Sequence, residues 1–198
     1  MLSVDIEKLY PAAKTLVKAH AASRIHAKDA TLYDFSTEAQ ACAEQYMGWA
    51  DLASHPQCSL EEVRTFADAA VADGIDTVIL IGQGGSTQAP MTITKYNKVD
   101  KNRVSFKTLD SDSPVRVREM LTGCDPEKTL VIISSKSGST IEPRLLLEAV
   151  RASFDKTLGA DTVKHLVAIT DPGSDLEAQA RAEGWRAVFP GEPTVGGR

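Results

Sequence analysis

Two hydrophobic periods divide the chain. Over residues 5–73 apolar positions recur at helical spacing, as in Ile6, Leu9, Ala13, Leu16 and Val17, and STEAQACAEQYMGWADLA is rich in Ala, Glu and Gln. SLEEVRTFADAAVADG adds an apolar stripe bounded by Ser59 and Glu62, in capping-box spacing, and by Gly74 as a stop. Past Gly74 the pattern shortens to Val- and Ile-rich runs at 77–82, 104–109, 129–134 and 164–170, with a weaker one at 186–189. Helical segments near 86–98, 114–122, 140–155 and 174–183 fall between them. Strand and helix alternating in this way predict βαβ units. The expected fold is α/β: a three-layer αβα sandwich around a five-stranded parallel sheet, preceded by a helical segment. Right-handed crossovers lead to the flavodoxin-like order 2-1-3-4-5.

Two of the strand ends carry nearly the same phrase. TVILIGQGGSTQAP spans 77–90 and TLVIISSKSGSTIEP spans 129–143; the second is one residue longer and adds Lys136. In each, an apolar strand breaks into Gly-Ser-Thr, which opens the next helix. Pro90 and Pro143, each four residues after a serine, fit a first helical turn, where a missing N–H costs least. Ser139 and Glu142 match a second capping box. Either loop alone reads as an ordinary helix start. Together they lie at the carboxyl ends of the first and third strands, which the order 2-1-3-4-5 makes neighbours at a topological switch point. Two helix amino termini then point N–H groups and positive dipole ends into one cleft. Ser135, Ser137, Ser139 and Thr140 around the Lys136 ammonium suit a compact phosphate, while the uncharged GQGGS loop lets backbone approach the ligand's neutral body.

Two commoner phosphate motifs fit less well. Gly82 and Gly84 begin a dinucleotide fingerprint, but Thr87 stands at its third glycine. Asp110, ending the second strand, stands where a ribose-binding acid would, so a nucleotide-binding reading stays open. A P-loop fails because Ser135, not glycine, precedes Lys136-Ser137.

Composition narrows the class further. The 198 residues predict one domain with room for a substantial core, and 42% hydrophobic with 25% charged residues is ordinary globular usage. A formal net charge of -5 argues against a general nucleic-acid binder without excluding an anionic ligand held by local dipoles. Cys42, Cys58 and Cys124 form no CxxC pair and read as reduced thiols. The charged start MLSVDIEKLY lacks an apolar signal core, and no run approaches the roughly 20 apolar residues of a membrane span. A cytoplasmic location is expected.

IGQGGSTQAP, LDSDSPVRVREM, VIISSKSGSTIEP, AITDPGSDLEAQARAEGWRAVF and the terminal VGGR together resemble glucose-6-phosphate isomerase. They are most similar to the isomerase half of bacterial transaldolase/glucose-6-phosphate isomerase fusions. The resemblance runs from about residue 74 to the end and implies a sugar isomerase (SIS) domain over 74–198, preceded by a helical segment over 1–73. It implies a phosphate loop of Ser135, Lys136, Ser137 and Thr140, and a sugar-contacting loop containing Gly85 and Ser86. It implies that Arg198 steadies a negative enediolate and that Glu142 supports a catalytic histidine. Gln83 departs from the aliphatic residue commoner at its position, and Ser137 and Ser139 replace threonines. The family needs no cofactor or metal, acts on a small phosphosugar without nucleic acid or membrane, and implies a homodimer for the whole protein.

The resemblance also implies an absence. Moving a proton between C2 and C1 needs an acid–base group, and opening the ring needs another. In the family the glutamate base, the histidine and a lysine follow the VGGR motif, where this sequence stops. None of His20, His26, His55 or His165 matches them; these, like Trp49 and Trp185, are expected to be structural. The Asp110-Ser111-Asp112 run reads as turn chemistry. The expected function is therefore the phosphosugar-binding part of an isomerase, inactive alone. The rival is a non-catalytic SIS sensor, against which the arginine of VGGR argues.

Overall fold

The computed structural model describes residues 6–33, 36–96 and 104–195. Helices α1 (Ile6–Lys18), α2 (Ala21–His26), α3 (Thr37–Gln45) and α4 (Leu60–Ala72) come first, with single turns of 3-10 helix between them. The chain packs as two compact units, one formed up to Pro56 together with the segment from Pro193, the other spanning Gln57–Glu192. α4, which the hydrophobic period groups with the preceding helices, thus lies in the second unit.

The first unit combines polar clasps with a few buried apolar side chains, Ala21, Ala30 and Met47. Leu16 and Val17 on α1 stay exposed, whereas Met47 is buried and bridges Val195 in antiparallel fashion. Arg24 Nε donates to Asp29 Oδ2 at 2.6 Å, and the Asp29 carboxylate also takes the Thr31 N–H. The Arg24 bond foremost, then that of the Thr31 hydroxyl, lowers the Asp29 pKa to about 2.

The second unit begins with α4, whose Ser59–Glu62 capping box forms as expected. It continues through β1 (Thr77–Ile81), α5 (Gly85–Tyr96), β2 (Ser105–Leu109), α6 (Pro114–Thr122), β3 (Thr129–Ser134), α7 (Ile141–Leu158), β4 (Leu166–Thr170), α8 (Asp175–Ala182) and β5 (Ala187–Pro190). The sheet is parallel throughout in the expected order β2-β1-β3-β4-β5. Pro190 ends an edge strand, where its missing N–H breaks no interior ladder.

Strand alternation divides the core between the sheet's two faces. Ile79, Ile81, Val131, Ile133 and Ala168 pack with Leu146, Val150 and Phe154 of α7 and with Leu176 and Ala180 of α8; Trp185 joins this core as expected. On the opposite face, Leu130 and Val167 pack with Ala70 of α4, with Phe66 and Phe189 beside them. The Phe66 and Phe189 rings meet edge to face at 5.2 Å, fastening α4 to the sheet's β5 end.

Four local expectations shift. α7 runs three residues past 155 to Leu158, ended by Gly159 in a positive-φ conformation, and 3-10 structure over Gly159–His165 delays β4 to Leu166. His165 is held there by a 2.9 Å contact from Nδ1 to the Thr129 carbonyl. Pro90 is the sixth residue of α5, in the second turn, and so cannot give the Ser86 carbonyl its usual i+4 helical hydrogen bond. The Ser139–Glu142 capping box does not form: Thr140 is the N-cap of α7 and makes no side-chain cap bond. The Ser139 hydroxyl instead sits 2.8 Å from that of Ser137, so the helix starts one residue later. Trp49, expected in a core or an interface, is 52% exposed and so lies outside the core. Among the described residues no helix is long and apolar enough to cross a membrane.

Candidate functional site

β1 and β3 are neighbours in register, Ile81 opposite Ile133, so the loops leaving their carboxyl ends emerge side by side. The first loop is Gly82-Gln83-Gly84. A Cβ on Gly82 would lie 2.9 Å from the Ser134 carbonyl and 3.0 Å from Ser86 Cβ, so only glycine lets this loop approach β3 so closely. The Gly84 carbonyl then receives the Thr87 and Gln88 N–H groups at 3.2 and 3.0 Å, starting α5. Thr87, at the third-glycine position of a dinucleotide fingerprint, is buried with its hydroxyl donating to that same carbonyl.

The second loop is braced from β4 and α8. Ser135 N–H donates to the Ile169 carbonyl, and the Lys136 carbonyl accepts from Asp171 N–H at 3.0 Å and from the Thr170 hydroxyl at 3.2 Å. The Thr170 hydroxyl lies 2.7 Å from that of Ser174, the N-cap of α8. Gly138, at φ 69°, passes so close to α8 that an added Cβ would meet the Leu176 nitrogen at 2.8 Å. The Ser139 N–H donates to the Ser137 hydroxyl at 3.2 Å, which curls the loop before α7 begins.

Between the loops lies a cleft of about 170 Å³ lined by Gln83 and Ser86 from the first and by Ser134, Ser135, Lys136, Ser137, Thr140 and Pro143 from the second. It is smaller than the roughly 300–1,000 Å³ of whole-ligand pockets, so it fits the compact end of a ligand. Helices of 12 and 18 residues start at its rim, and their amino termini bring partial positive charge beside Lys136. Ser135 is 6% exposed and its hydroxyl has no hydrogen-bond partner among the described residues. A buried hydroxyl in that state is a cost unless an incoming group accepts its proton. A larger hollow of about 470 Å³ behind the loop, between α7 and α8, has Arg144, Glu148 and Asp175 as its charged lining, a negative balance that suits an anion less well.

Of the residues expected at a site, Ser86, Ser135, Lys136, Ser137 and Thr140 are brought together on this cleft. Gly85 is the exposed first residue of α5, and Glu142 is the second residue of α7; neither lines the cleft. Arg198 lies outside the described residues. Gln83, Ser134 and Pro143 were not expected there, although Gln83 is the one polar side chain within its run of glycines.

Known proteins resemble this chain in sequence and in fold. The chain is 37% identical over 152 residues to a glucose-6-phosphate isomerase of Synechococcus sp., matching 72% of this chain and 28% of the relative. It is 37% identical over 154 residues to the glucose-6-phosphate isomerase of Thermus thermophilus, covering 77% of this chain and 35% of that one. The crystal structure of a hypothetical protein, also from Thermus thermophilus, superposes with a TM-score of 0.75 at 32% identity, over 96% of this chain and 42% of that one. A glucose-6-phosphate isomerase from Chlamydia trachomatis superposes at 0.57 with 26% identity, over 87% and 31%. The chain thus spans about a third of the length of the named isomerases it matches. The phosphoglucose isomerase family model matches residues 55–198, which include both loops of the cleft and every strand that positions them, and the chain belongs to that family.

Proposed function

We propose that this chain binds the phosphate of glucose 6-phosphate and fructose 6-phosphate in the cleft between the two loops, as part of a glucose-6-phosphate isomerase. The observation that carries the reading is the buried, unpartnered Ser135 hydroxyl on a small cleft at two helix amino termini beside Lys136. A phosphate oxygen would accept from the Ser135, Ser137 and Thr140 hydroxyls and from N–H groups of the first turn of α7. Lys136 would balance the phosphate's charge. The Gly82–Ser86 loop would bring backbone to the sugar, with Gly85 at the helix start. In the isomerisation, a base carries a proton between C2 and C1 through an enediolate, which Arg198 would steady. Glu142, which lies in the chain between the lining residues Thr140 and Pro143 without lining the cleft itself, would support that acid–base group from outside the phosphate site.

Residues 1–198 taken alone are proposed to bind without turning over, because the acid–base group is assigned to sequence that follows the VGGR motif in the family. A positioned general base contributes about 10²–10⁴-fold. Cytoplasmic action and a homodimeric whole protein belong to the same proposal. Calorimetry with glucose 6-phosphate tests the binding. Lys136→Ala is expected to weaken it about 10- to 100-fold, the worth of a hydrogen bond to a charged group. Equal affinity in the variant removes Lys136 from the site. A coupled assay of fructose 6-phosphate conversion tests turnover, and a rate matching that of a full-length relative would place catalysis in residues assigned here to packing.

A further inference from the structure

The geometry points to Gln83 as a specificity-determining residue that reads a hydroxyl of the ligand's body; the inference rests on the phosphate reading of the cleft. Gln83 follows a glycine packed so closely on β3 that an added Cβ would lie 2.9 Å from the Ser134 carbonyl, which places its side chain at the cleft. The side chain is oriented by chemistry. Its amide nitrogen donates to the Asp110 backbone carbonyl at 3.2 Å, across 27 residues from the end of β2. A backbone carbonyl only accepts, so the nitrogen must face it and Oε1 must face away. This leaves Oε1 and the second amide hydrogen uncommitted on a residue that lines the cleft together with Ser86 and Lys136. Ser86 and Gln83 come from the loop opposite the phosphate-directed hydroxyls. With the phosphate taken by the hydroxyls of the second loop, the first loop is the wall left to meet the carbon chain where it leaves this small cleft. An oriented carboxamide there, offering one acceptor and one donor, matches a sugar hydroxyl and leaves both groups unsatisfied against a bare hydrocarbon. The chemical class selected is a polyhydroxy phosphate ester over an alkyl one.

The experiment compares three ligands, inorganic phosphate, glucose 6-phosphate and n-hexyl phosphate, on the wild-type chain and on Gln83→Met and Gln83→Leu, by calorimetry. The wild type is expected to prefer the sugar ester to the alkyl ester. Both variants should lower that ratio about 3- to 10-fold, the worth of one or two neutral hydrogen bonds, a change that a loss of phosphate binding common to both esters would not produce. Loss of the Asp110 clasp alone would weaken both esters together and leave their ratio intact, which overturns the inference while the phosphate site stands. No binding of inorganic phosphate by the wild type removes the site and the inference with it. If neither variant folds, the side-chain amide resonance of Gln83 in the wild type decides. It should shift on adding glucose 6-phosphate and not on adding hexyl phosphate, and an equal response to both sinks the proposal.

Discussion

Ser135 pairs an N–H bonded to the Ile169 carbonyl of β4 with a hydroxyl that has no partner among the described residues. Burying a polar group without a partner costs about 1–3 kcal/mol, so Ser135→Ala is expected to leave stability unchanged or raise it. The same substitution should weaken inorganic phosphate binding by about 10-fold or more, since a hydrogen bond to a charged group is lost. Thermal melts and calorimetry on one sample read the two effects. A variant both less stable and equally tight-binding would make Ser135 a structural residue. Ser137 differs from it, because its hydroxyl already takes the Ser139 N–H and shapes the loop.

At the scale of elements, the sheet's two faces are covered unequally. Ile133 is 1% exposed beneath α7, whereas its neighbour Ile132 is only half-buried and faces an apolar hollow of about 410 Å³ beside α4. Ile133→Ala should therefore cost about 2–5 kcal/mol, the range for truncating a fully packed core residue, and Ile132→Ala distinctly less. Urea midpoints for the two variants check the order, and equal losses would mean that the hollow is closed in solution. The crossovers explain why the helices were legible from the sequence. Each is a local amphipathic run between Val- and Ile-rich strands, so period and punctuation determine it. The start of α7 was less legible because the Ser139 hydroxyl pairs with that of Ser137 instead of capping the helix, which passes the N-cap to Thr140, and spacing alone does not show that pairing.

The whole molecule carries its net charge of -5 with several carboxylates held in favourable bonds. Asp29, Asp51, Glu62 and Glu177 are all lowered, foremost by Arg24, Lys28, the Ser59 N–H and the Gly173 N–H respectively. At Glu183 burial pushes upward, but bonds from Trp185, Gln179 and Arg151 together outweigh it and leave the pKa lowered. A depressed carboxylate stabilises the fold fully above its unfolded pKa, and that contribution is lost as pH falls through its folded value. Stability should therefore decline below about pH 4, with the Asp29 share fading last because its pKa is held at about 2. Asp29→Asn is expected to flatten only this acid end of the curve, as read by circular dichroism melts from pH 2 to 7. An unchanged curve would show that the exposed clasp is fully screened.

Local pattern alone determined a good deal of this protein. Alternating apolar runs and amphipathic segments specified five parallel strands, and the duplicated Gly-Ser-Thr phrase marked both loops and most of the cleft. These are properties of residues close in sequence, where period reports which face is buried. Only the tertiary structure decided what depends on distant residues meeting. It decided that Gly82 abuts Ser134, that Thr170 braces Lys136, and that Gln83 reaches Asp110. It also set Glu142 off the cleft and joined α4 to the sheet rather than to the helices before it. The physical reason is that helix capping and strand alternation are encoded within a few residues, whereas burial of one hydroxyl depends on how closely two crossovers can approach.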